Sequence, residues 1–187
     1  MKVIAISGSR SPEGQTAQAL NAACDGLKAE GVDCIIHFLP TLKIERCRQC
    51  DESGWGLCRK EGSCIIEDDF SNCIDELRRS DGAVIATPVY FSDLSESMRA
   101  FLDRLRRIAR HENGRSGIEG TPAIGVCVAG GGGGGAISCA LNLEKIAGTC
   151  GFDIKDIIPV RRQNLQHKIS VLKETGRWFA AELSQLA

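Results

Sequence analysis

The sequence predicts one α/β domain in which a parallel sheet carries helices on both faces. Three observations support this prediction. Five short apolar runs alternate along the chain with five segments of helical periodicity. The apolar runs are hydrophobic at successive positions, which is typical of strands buried on both faces. The length of 187 residues suits a single domain with its own core.

The strands are predicted from apolar runs that end at glycine or proline. Gly8 ends the first run, Pro40 the second and Pro88 the third. These residues interrupt a strand because proline lacks an N–H donor and glycine marks turns. We therefore predict five strands, which cover Lys2–Ser7, Cys34–Leu39, Ala83–Thr87, Ala123–Ala129 and Ile154–Val160.

The helices are predicted from apolar residues spaced three and four positions apart. In the first helix Ala19, Ala23 and Leu27 form such a stripe, and Gly31 ends the helix. An acidic pair is expected to cap the second helix. We therefore predict helices over Thr16–Glu30, from Asp68 and Asp69 onward, and over Leu94–Ile108, Ile137–Cys150 and Gln166–Leu186.

Right-handed crossovers between such strands produce a doubly wound sheet. Five strands favour the order 2-1-3-4-5, which is the order of a flavodoxin-like three-layer sandwich. Residues 1–187 then form one domain, which a Cys-rich insertion of irregular sequence interrupts at about residues 43–66. Long loops inside compact domains are usually functional, so this insertion is a candidate site.

Charge and hydropathy exclude several classes of protein. The 23 basic and 24 acidic side chains give a net charge of −1, which argues against a nucleic-acid-binding surface. Gly120–Leu143 is uncharged and long enough to span a membrane, but Pro122 and the six glycines Gly130–Gly135 disfavour a helix there. We expect no membrane association. Without a secretory signal, we expect a cytoplasmic protein whose ten cysteines are reduced.

The segment after the first predicted strand has the composition of an anion-binding loop. It runs SGSRSPEGQT and leads directly into a helix. Hydroxyl groups, glycines and an arginine beside free helical N–H groups favour a phosphate, and the candidate residues are Ser9, Arg10, Gly14, Gln15 and Thr16. The glycine spacing and the lack of a lysine exclude a Walker A motif. The alternative is a connecting turn whose hydroxyls only cap the helix.

Two further loops meet the first at the carboxyl ends of the strands, where ligands bind in such folds. One carries Pro88–Phe91, which offers either a stacking surface for a planar ring or two core aromatics. The other is the glycine run, whose backbone N–H groups a ligand can approach closely. Gly130, Gly132 and Gly135 also satisfy a dinucleotide-binding pattern. No acidic residue follows the next strand where that pattern requires one, so NAD binding of this kind is the weaker hypothesis.

Together these three loops resemble those of the NAD(P)H-dependent FMN reductase superfamily. The similarity covers nearly the whole chain, and its most specific part is TPVYFSDLSESMRAFLDR. The resemblance implies a flavodoxin-like fold with non-covalently bound FMN. It implies that the phosphate is held by Ser9, Arg10, Gln15 and Thr16. It implies that the isoalloxazine ring is bordered by Pro88, Val89, Tyr90 and Phe91. The other side of the ring is then closed by Gly130, Gly131 and Gly132.

Four cysteines in the insertion have a spacing that suits a metal centre. Cys47, Cys50, Cys58 and Cys64 lie within 18 residues, and four thiolates can hold zinc or an iron–sulfur cluster. The pattern CRQC…CRKEGSCIIEDDF resembles the iron–sulfur flavoprotein branch of the same superfamily, which implies a [4Fe–4S] cluster close to FMN. That branch has two residues in the middle gap, whereas this chain has seven, including Trp55. Zinc and metal-free or oxidised thiols are the alternatives. The other cysteines are expected to be buried small hydrophobes: Cys24, Cys34, Cys73, Cys127, Cys139 and Cys150.

These interpretations favour an FMN-dependent oxidoreductase or electron-transfer flavoprotein with NAD(P)H as the transient donor. The flavin would carry the chemistry, so no catalytic side chain is required. With a cluster, electrons would pass between FMN and a carrier such as ferredoxin. Without one, a quinone, a metal ion or free flavin would be reduced. A flavodoxin-like electron carrier without turnover and a zinc-stabilised binding module are the alternatives. The resemblance also implies a homodimer or homotetramer, and no catalytic role is expected for His37, His111 and His167.

Overall fold

The structure of the chain is a computed structural model that describes residues 1–109, 111 and 117–186. Strands and helices follow each other in the predicted order. The strands are β1 (Lys2–Ser7), β2 (Asp33–Phe38), β3 (Gly82–Tyr90), β4 (Asp93–Leu94), β5 (Pro122–Ala129) and β6 (Asp153–Arg161). The helices are α1 (Gln15–Ala29), α2 (Leu57–Glu61), α3 (Phe70–Arg78), α4 (Glu96–Ala109), α5 (Ala136–Thr149) and α6 (Leu165–Leu186).

Five parallel strands form the sheet in the order β2-β1-β3-β5-β6, which is the predicted order 2-1-3-4-5. The flavodoxin-like fold class is thereby confirmed. The predicted number of strands is wrong, because β4 adds a sixth strand antiparallel to the end of β3. Pro88 does not end β3. The pairing of β1 with β3 stops at Ser7 and Ala86, so the missing N–H of Pro88 interrupts no ladder on that side.

The Cys-rich insertion contains one element that the sequence did not predict, the short helix α2. It follows Gly56 and ends at Gly62, which adopts a left-handed φ of 66°. None of its five residues is buried. So short a helix leaves no apolar stripe in the sequence, because five residues make little more than one turn.

Helices cover both faces of the sheet. Helices α1 and α6 pack on one face around Leu20 and Phe179, and α3, α4 and α5 pack on the other around Phe101 and Leu143. The strands are therefore buried on both sides, which explains their continuous apolar runs. Among the described helices, none combines the length and the apolar character needed to cross a membrane.

Helices α1 and α6 approach each other closely at Gly26 and Gly176. A Cβ atom at Gly26 would lie 2.0 Å from the Lys173 carbonyl oxygen, and one at Gly176 would lie 2.1 Å from the Ala23 carbonyl oxygen. Because backbone cannot move aside as a flexible side chain can, we expect Gly26→Ala to lower the free energy of unfolding by about 2 kcal/mol in chemical denaturation. The control is Gly148→Ala in α5, where an added Cβ meets nothing within 4 Å. We expect Gly148→Ala to raise the free energy of unfolding by about 0.5 kcal/mol. Equal denaturation midpoints for the two variants would contradict the close packing of α1 against α6.

Candidate functional site

A pocket of about 740 Å³, counting the part open to solvent, lies at the carboxyl ends of the central strands. Its walls come from the three loops that the sequence singles out: the start of α1, the end of β3 and the glycine run after β5. Strands β1 and β3 are neighbours at which the strand order reverses, and a crevice forms at this point in such sheets. The lining residues are Gln15, Thr16, Pro88, Val89, Tyr90, Val128, Ala129, Gly130, Gly131 and Gly134.

Seven of the twelve residues predicted to bind the cofactor line this pocket. Sequence reasoning missed Val128, Ala129 and Gly134, because two of them belong to a buried strand and the third is one glycine in a uniform run. The other five predicted residues lie outside the lining. Ser9 and Gly14 are half-buried in the loop before α1, and the remainder are exposed, namely Arg10, Phe91 and Gly132.

The N-terminus of α1 is available to an anion. Gly14 precedes the helix, and within the described part of the chain no side chain caps its first turn. The first N–H groups of the helix therefore keep their hydrogen-bonding capacity. That turn contains no acidic residue, and the helix dipole favours negative charge there. The alternative of a turn whose hydroxyls only cap the helix is not supported.

Buried hydroxyl groups fix the loop between β1 and α1. Ser95 and Ser97 both donate to the carbonyl oxygen of Gly8, at 3.1 and 3.0 Å. The backbone N–H of Ser95 donates to the Thr87 hydroxyl at 3.0 Å. The Ser95 hydroxyl also accepts from the N–H of Met98 at 3.4 Å, so Ser95 caps α4. One serine thus connects the first loop, the end of β3 and the start of α4.

The turn between β3 and β4 holds two residues other than glycine in the left-handed region. The φ angles are 50° at Phe91 and 65° at Ser92, in a two-residue hairpin turn that usually contains Asn-Gly. Such conformations cost on the order of 1 kcal/mol each and cluster at functional sites. Phe91 is fully exposed and Tyr90 is 56% exposed. The alternative that both are core aromatics is therefore wrong.

The glycines of the run Gly130–Gly135 have two different structural roles. Gly133 and Gly135 have φ angles of 77° and 79°, and an added Cβ would lie 2.6 Å from the side chains of Gln163 and Ser92, respectively. Both positions therefore require glycine. By contrast, an added Cβ at Gly134 would meet nothing within 4 Å, although this residue lines the pocket. Its bare backbone leaves a ligand room to approach.

A second cavity, of about 360 Å³ including the part open to solvent, lies between the Cys-rich insertion and the C-terminal half of α4. All four predicted metal ligands line this cavity, although seven residues separate the second from the third: Cys47, Cys50, Cys58 and Cys64. The other walls combine apolar and cationic side chains, among them Trp55, Ile66, Arg104, Arg107 and Ile108. We call it the cysteine cavity.

Arg104 of α4 ties the insertion to the domain. Its side chain is 1% exposed and forms a bidentate ion pair with Asp68 at 2.6 and 3.0 Å. It also donates to the carbonyl oxygen of Glu45 at 3.0 Å and to Cys64 Sγ at 3.4 Å. The guanidinium lies over the Phe70 ring, 4.1 Å from its centroid. Only Nε of this buried group has no hydrogen-bond partner among the described residues.

The prediction that Asp68 and Asp69 both cap α3 needs correction. Asp68 accepts the N–H of Phe70 at 3.2 Å, but it also accepts the N–H of Glu45 at 2.8 Å. Asp69 provides no side-chain cap and instead accepts the N–H of Lys43 at 2.7 Å. Burial alone would raise the pKa of Asp68, but the Arg104 guanidinium and these N–H groups hold it below its ordinary value. Both carboxylates therefore anchor the insertion.

Two guanidinium groups lie close to the Trp55 ring at the cysteine cavity. Arg59 is 5.6 Å and Arg107 is 4.9 Å from the ring centroid. Arg107 also donates to the carbonyl oxygen of Gly54 at 2.5 Å. Such cation–π contacts stabilise the half-buried ring against the cavity. The extra residues in the middle gap therefore provide one wall of the cavity.

The side chains around the cysteine cavity do not converge on one point within the described part of the chain. Among the described residues, no three Cys, His, Asp or Glu side chains are close enough to hold one metal ion. Zinc bound at about 2.3 Å requires sulfurs about 3.8 Å apart, whereas a [4Fe–4S] core takes each thiolate at a separate iron. Burial raises the pKa of the Cys58 thiol, and the neighbouring Cys47 and Cys64 add to this, while Arg107 opposes it. A bound cationic core would supply the charge that favours the thiolates.

The cysteines and histidines outside this cavity have structural roles. Cys34 is half-buried on β2, contrary to prediction, and the other five cysteines are buried as predicted: Cys24, Cys73, Cys127, Cys139 and Cys150. His37 pairs with Glu76 at 2.7 Å, and the His111 ring packs against Gly62. None of these residues lines the pocket at the strand ends or the cysteine cavity.

Comparisons with known proteins identify the family of the chain. The family model described as NADPH-dependent FMN reductase matches residues 1–154. An iron–sulfur flavoprotein of Methanocaldococcus jannaschii is 31% identical over 131 residues, which are 70% of this chain and 65% of that protein. The chain spans about half to two thirds of the length of the curated relatives it matches.

Solved structures share the fold. RosB with bound 8-demethyl-8-formylriboflavin-5'-phosphate has a TM-score of 0.77 at 16% identity, over 100% of this chain and 79% of that one. The NAD(P)H:quinone oxidoreductase from Methanothermobacter marburgensis has a TM-score of 0.71 at 19% identity, over 96% of both chains. At these identities the likeness shows the fold alone. The match of the family model over most of the sequence shows more: the chain belongs to the NADPH-dependent FMN reductase family.

Proposed function

We propose that this protein is an FMN-dependent oxidoreductase that takes electrons from NAD(P)H and carries a [4Fe–4S] cluster on four cysteines. The observation that carries the flavin assignment is the pocket among three loops, with the uncapped N-terminus of α1 in its wall. The shared cavity of Cys47, Cys50, Cys58 and Cys64 supports the cluster. The iron–sulfur flavoproteins among the relatives support the presence of both groups in one chain.

We propose one orientation for FMN in this pocket. The phosphate would lie at the N-terminus of α1, beside Gln15 and the buried hydroxyl of Thr16. The ring would lie against Pro88–Tyr90, with the glycine run on its other side. Contacts from residues outside the lining remain predictions: Ser9, Arg10, Gly14, Phe91 and Gly132.

The residues of the pocket bind and orient rather than transfer protons. When bound, FMN supplies hydride and single-electron chemistry. Among the lining residues only Tyr90 is titratable, and it is more than half exposed. An added Cβ at Gly131, Gly132 or Gly134 would meet nothing within 4 Å, so the backbone there is open to a ligand, and its N–H groups would stabilise negative charge on the ring. The chain's contribution is therefore geometry and electrostatics.

The two sites lie toward opposite ends of α4. Ser95 caps its N-terminus and holds the loop that would bind the phosphate, whereas Arg104 reaches the cysteine cavity. Nine residues of helix separate them, which corresponds to about 13 Å along the axis. We propose that the cluster would exchange single electrons with a carrier such as ferredoxin. We propose that the protein is a homodimer or homotetramer in the cytoplasm. The cysteine thiols stay reduced in that compartment.

The test is a visible spectrum together with FMN, iron and zinc analysis on protein purified without oxygen. We expect one FMN and about four irons per chain, with no zinc. FMN without iron would contradict the cluster and leave an NAD(P)H-dependent quinone or flavin reductase, or a flavodoxin-like carrier. NAD(P)H oxidation by the FMN-loaded protein separates the reductase from the carrier. A colourless protein that does not bind added FMN would contradict the whole proposal.

A further inference from the structure

The structure assigns Arg104 a second role at the cysteine cavity. We propose that it is a positioning residue, which holds Cys64 and places an N–H donor and a positive charge against its sulfur. It thereby raises the reduction potential of the centre that the cysteines bind. This inference rests on the proposed [4Fe–4S] cluster and goes beyond it, because it identifies the residue that adjusts the cluster's potential.

The guanidinium of Arg104 is held in a fixed position against Cys64. Its Nη2 donates to Asp68 at 3.0 Å and to Cys64 Sγ at 3.4 Å, and its Nη1 donates to Asp68 and Glu45. The side chain is 1% exposed, so these bonds are formed in a medium that screens charge poorly. Asp68 and Glu45 therefore fix the orientation in which the remaining N–H meets the Cys64 sulfur.

A [4Fe–4S] cluster on the four cysteines would make the cavity negatively charged. Four thiolates around a core of charge +2 give −2, and reduction by one electron gives −3. Hydrogen bonds and positive charge at the sulfurs stabilise the more negative state, and so raise the potential. Arg104 contacts a ligand sulfur directly, and Arg107 adds a second guanidinium to the lining.

The Nε group of Arg104 is buried and has no hydrogen-bond partner among the described residues. Leaving such a donor unsatisfied is unfavourable, and native structures rarely do so without a functional reason. An anionic centre in the cavity that Arg104 lines would stabilise this N–H electrostatically. A lysine cannot replace the arrangement, because an ammonium lacks the planar fork that spans Asp68 and Cys64 together.

The experiment compares the full chain with Arg104→Lys, Arg104→Gln and Arg99→Gln, each purified without oxygen and reconstituted with iron and sulfide. Arg99 is the matched control, because it lies on the same helix, is 44% exposed, pairs with Asp93 and Asp103, and does not line the cysteine cavity. The readouts are FMN per chain, iron per chain and the midpoint potential of the cluster in a redox titration followed by electron paramagnetic resonance.

We expect Arg99→Gln to match the wild type in all three readouts. Arg104→Lys should keep FMN and iron. Its equilibrium constant for one-electron reduction of the cluster should fall at least tenfold, which lowers the midpoint potential by about 59 mV or more. Arg104→Gln should lose most of its iron and keep FMN. If Arg104→Gln does not fold, Arg104→Lys decides alone, and loss of its iron with FMN retained also supports the role.

Two results would overturn the inference, and they differ from failure of the proposed function. An Arg104→Lys protein with wild-type iron and potential would show that the contact with Cys64 has no effect on the cluster. Loss of both FMN and iron from that variant would show a role in the fold rather than in the site. By contrast, a wild-type protein that binds no iron contradicts the cluster itself, before any variant is compared.

Discussion

Replacing Cys50 with serine is expected to abolish iron binding while FMN remains bound. Cys50 lines the cysteine cavity and is exposed, so the loss of its sulfur does not disturb the core. A [4Fe–4S] cluster held by three thiolates loses the ligand of one iron. We expect the iron content of Cys50→Ser after oxygen-free purification to fall from about four per chain to less than one.

The matched control for this variant is Cys34→Ser. It makes the same chemical change at a half-buried position on β2, outside the cysteine cavity. We expect it to keep its iron, and both variants to keep FMN, because the pocket at the strand ends contains neither residue. Retention of four irons by Cys50→Ser would remove Cys50 from the ligand set. Iron loss from both variants alike would indicate general instability instead.

The parts of the molecule that the sequence predicts are those with local signals. Apolar runs such as Ala83–Thr87 are continuous because the strand is buried on both faces, and this pattern does not depend on the rest of the fold. The three loops at the strand ends carry glycine, proline and hydroxyl residues that the turns and the anion site require. The spacing of the four cysteines is equally local, although only the structure shows that they share one cavity.

Arg104 illustrates what the sequence does not predict. It stands in MRAFLDRLRR, where four of ten residues are arginines and the expected role of each is to face solvent. The structure buries Arg104 because the insertion folds back over α4 and brings Asp68 and Glu45 to it. This contact joins residues that are 36 and 59 positions apart, so no local pattern identifies it.

The hairpin at the end of β3 also depends on residues that are distant in the sequence. Whether Pro88 ends the strand depends on where β1 stops beside it, and this is a property of the neighbouring strand. The continuation to Tyr90 determines that Phe91 stands at a strained, fully exposed turn next to the pocket. Fold class can therefore be predicted from single segments, whereas the shape of the site depends on how segments meet.

Gly8 lies in the loop between β1 and α1, which would hold the FMN phosphate. Replacing Gly8 with alanine should weaken FMN binding about 100-fold, equivalent to about 2.7 kcal/mol. An added Cβ would lie 2.3 Å from Ser95 Oγ and 3.0 Å from Met98 Cβ. The Ser95 hydroxyl cannot turn away without losing its bonds to the Gly8 carbonyl and the Met98 N–H. We therefore expect the loop to move away from the N-terminus of α1, which fluorescence titration of the apoprotein with FMN would measure.

The double variant Gly8→Ala with Ser95→Ala shows whether this contact is the cause. Ser95→Ala alone removes a hydrogen bond to the loop and should weaken FMN binding about tenfold. It also removes the oxygen that the added Cβ would meet, so the double variant should bind FMN more tightly than Gly8→Ala alone. The two effects are then less than additive, as expected for residues in direct contact. Strictly additive losses, or wild-type affinity in Gly8→Ala, would mean that the position of this loop does not determine how FMN is held.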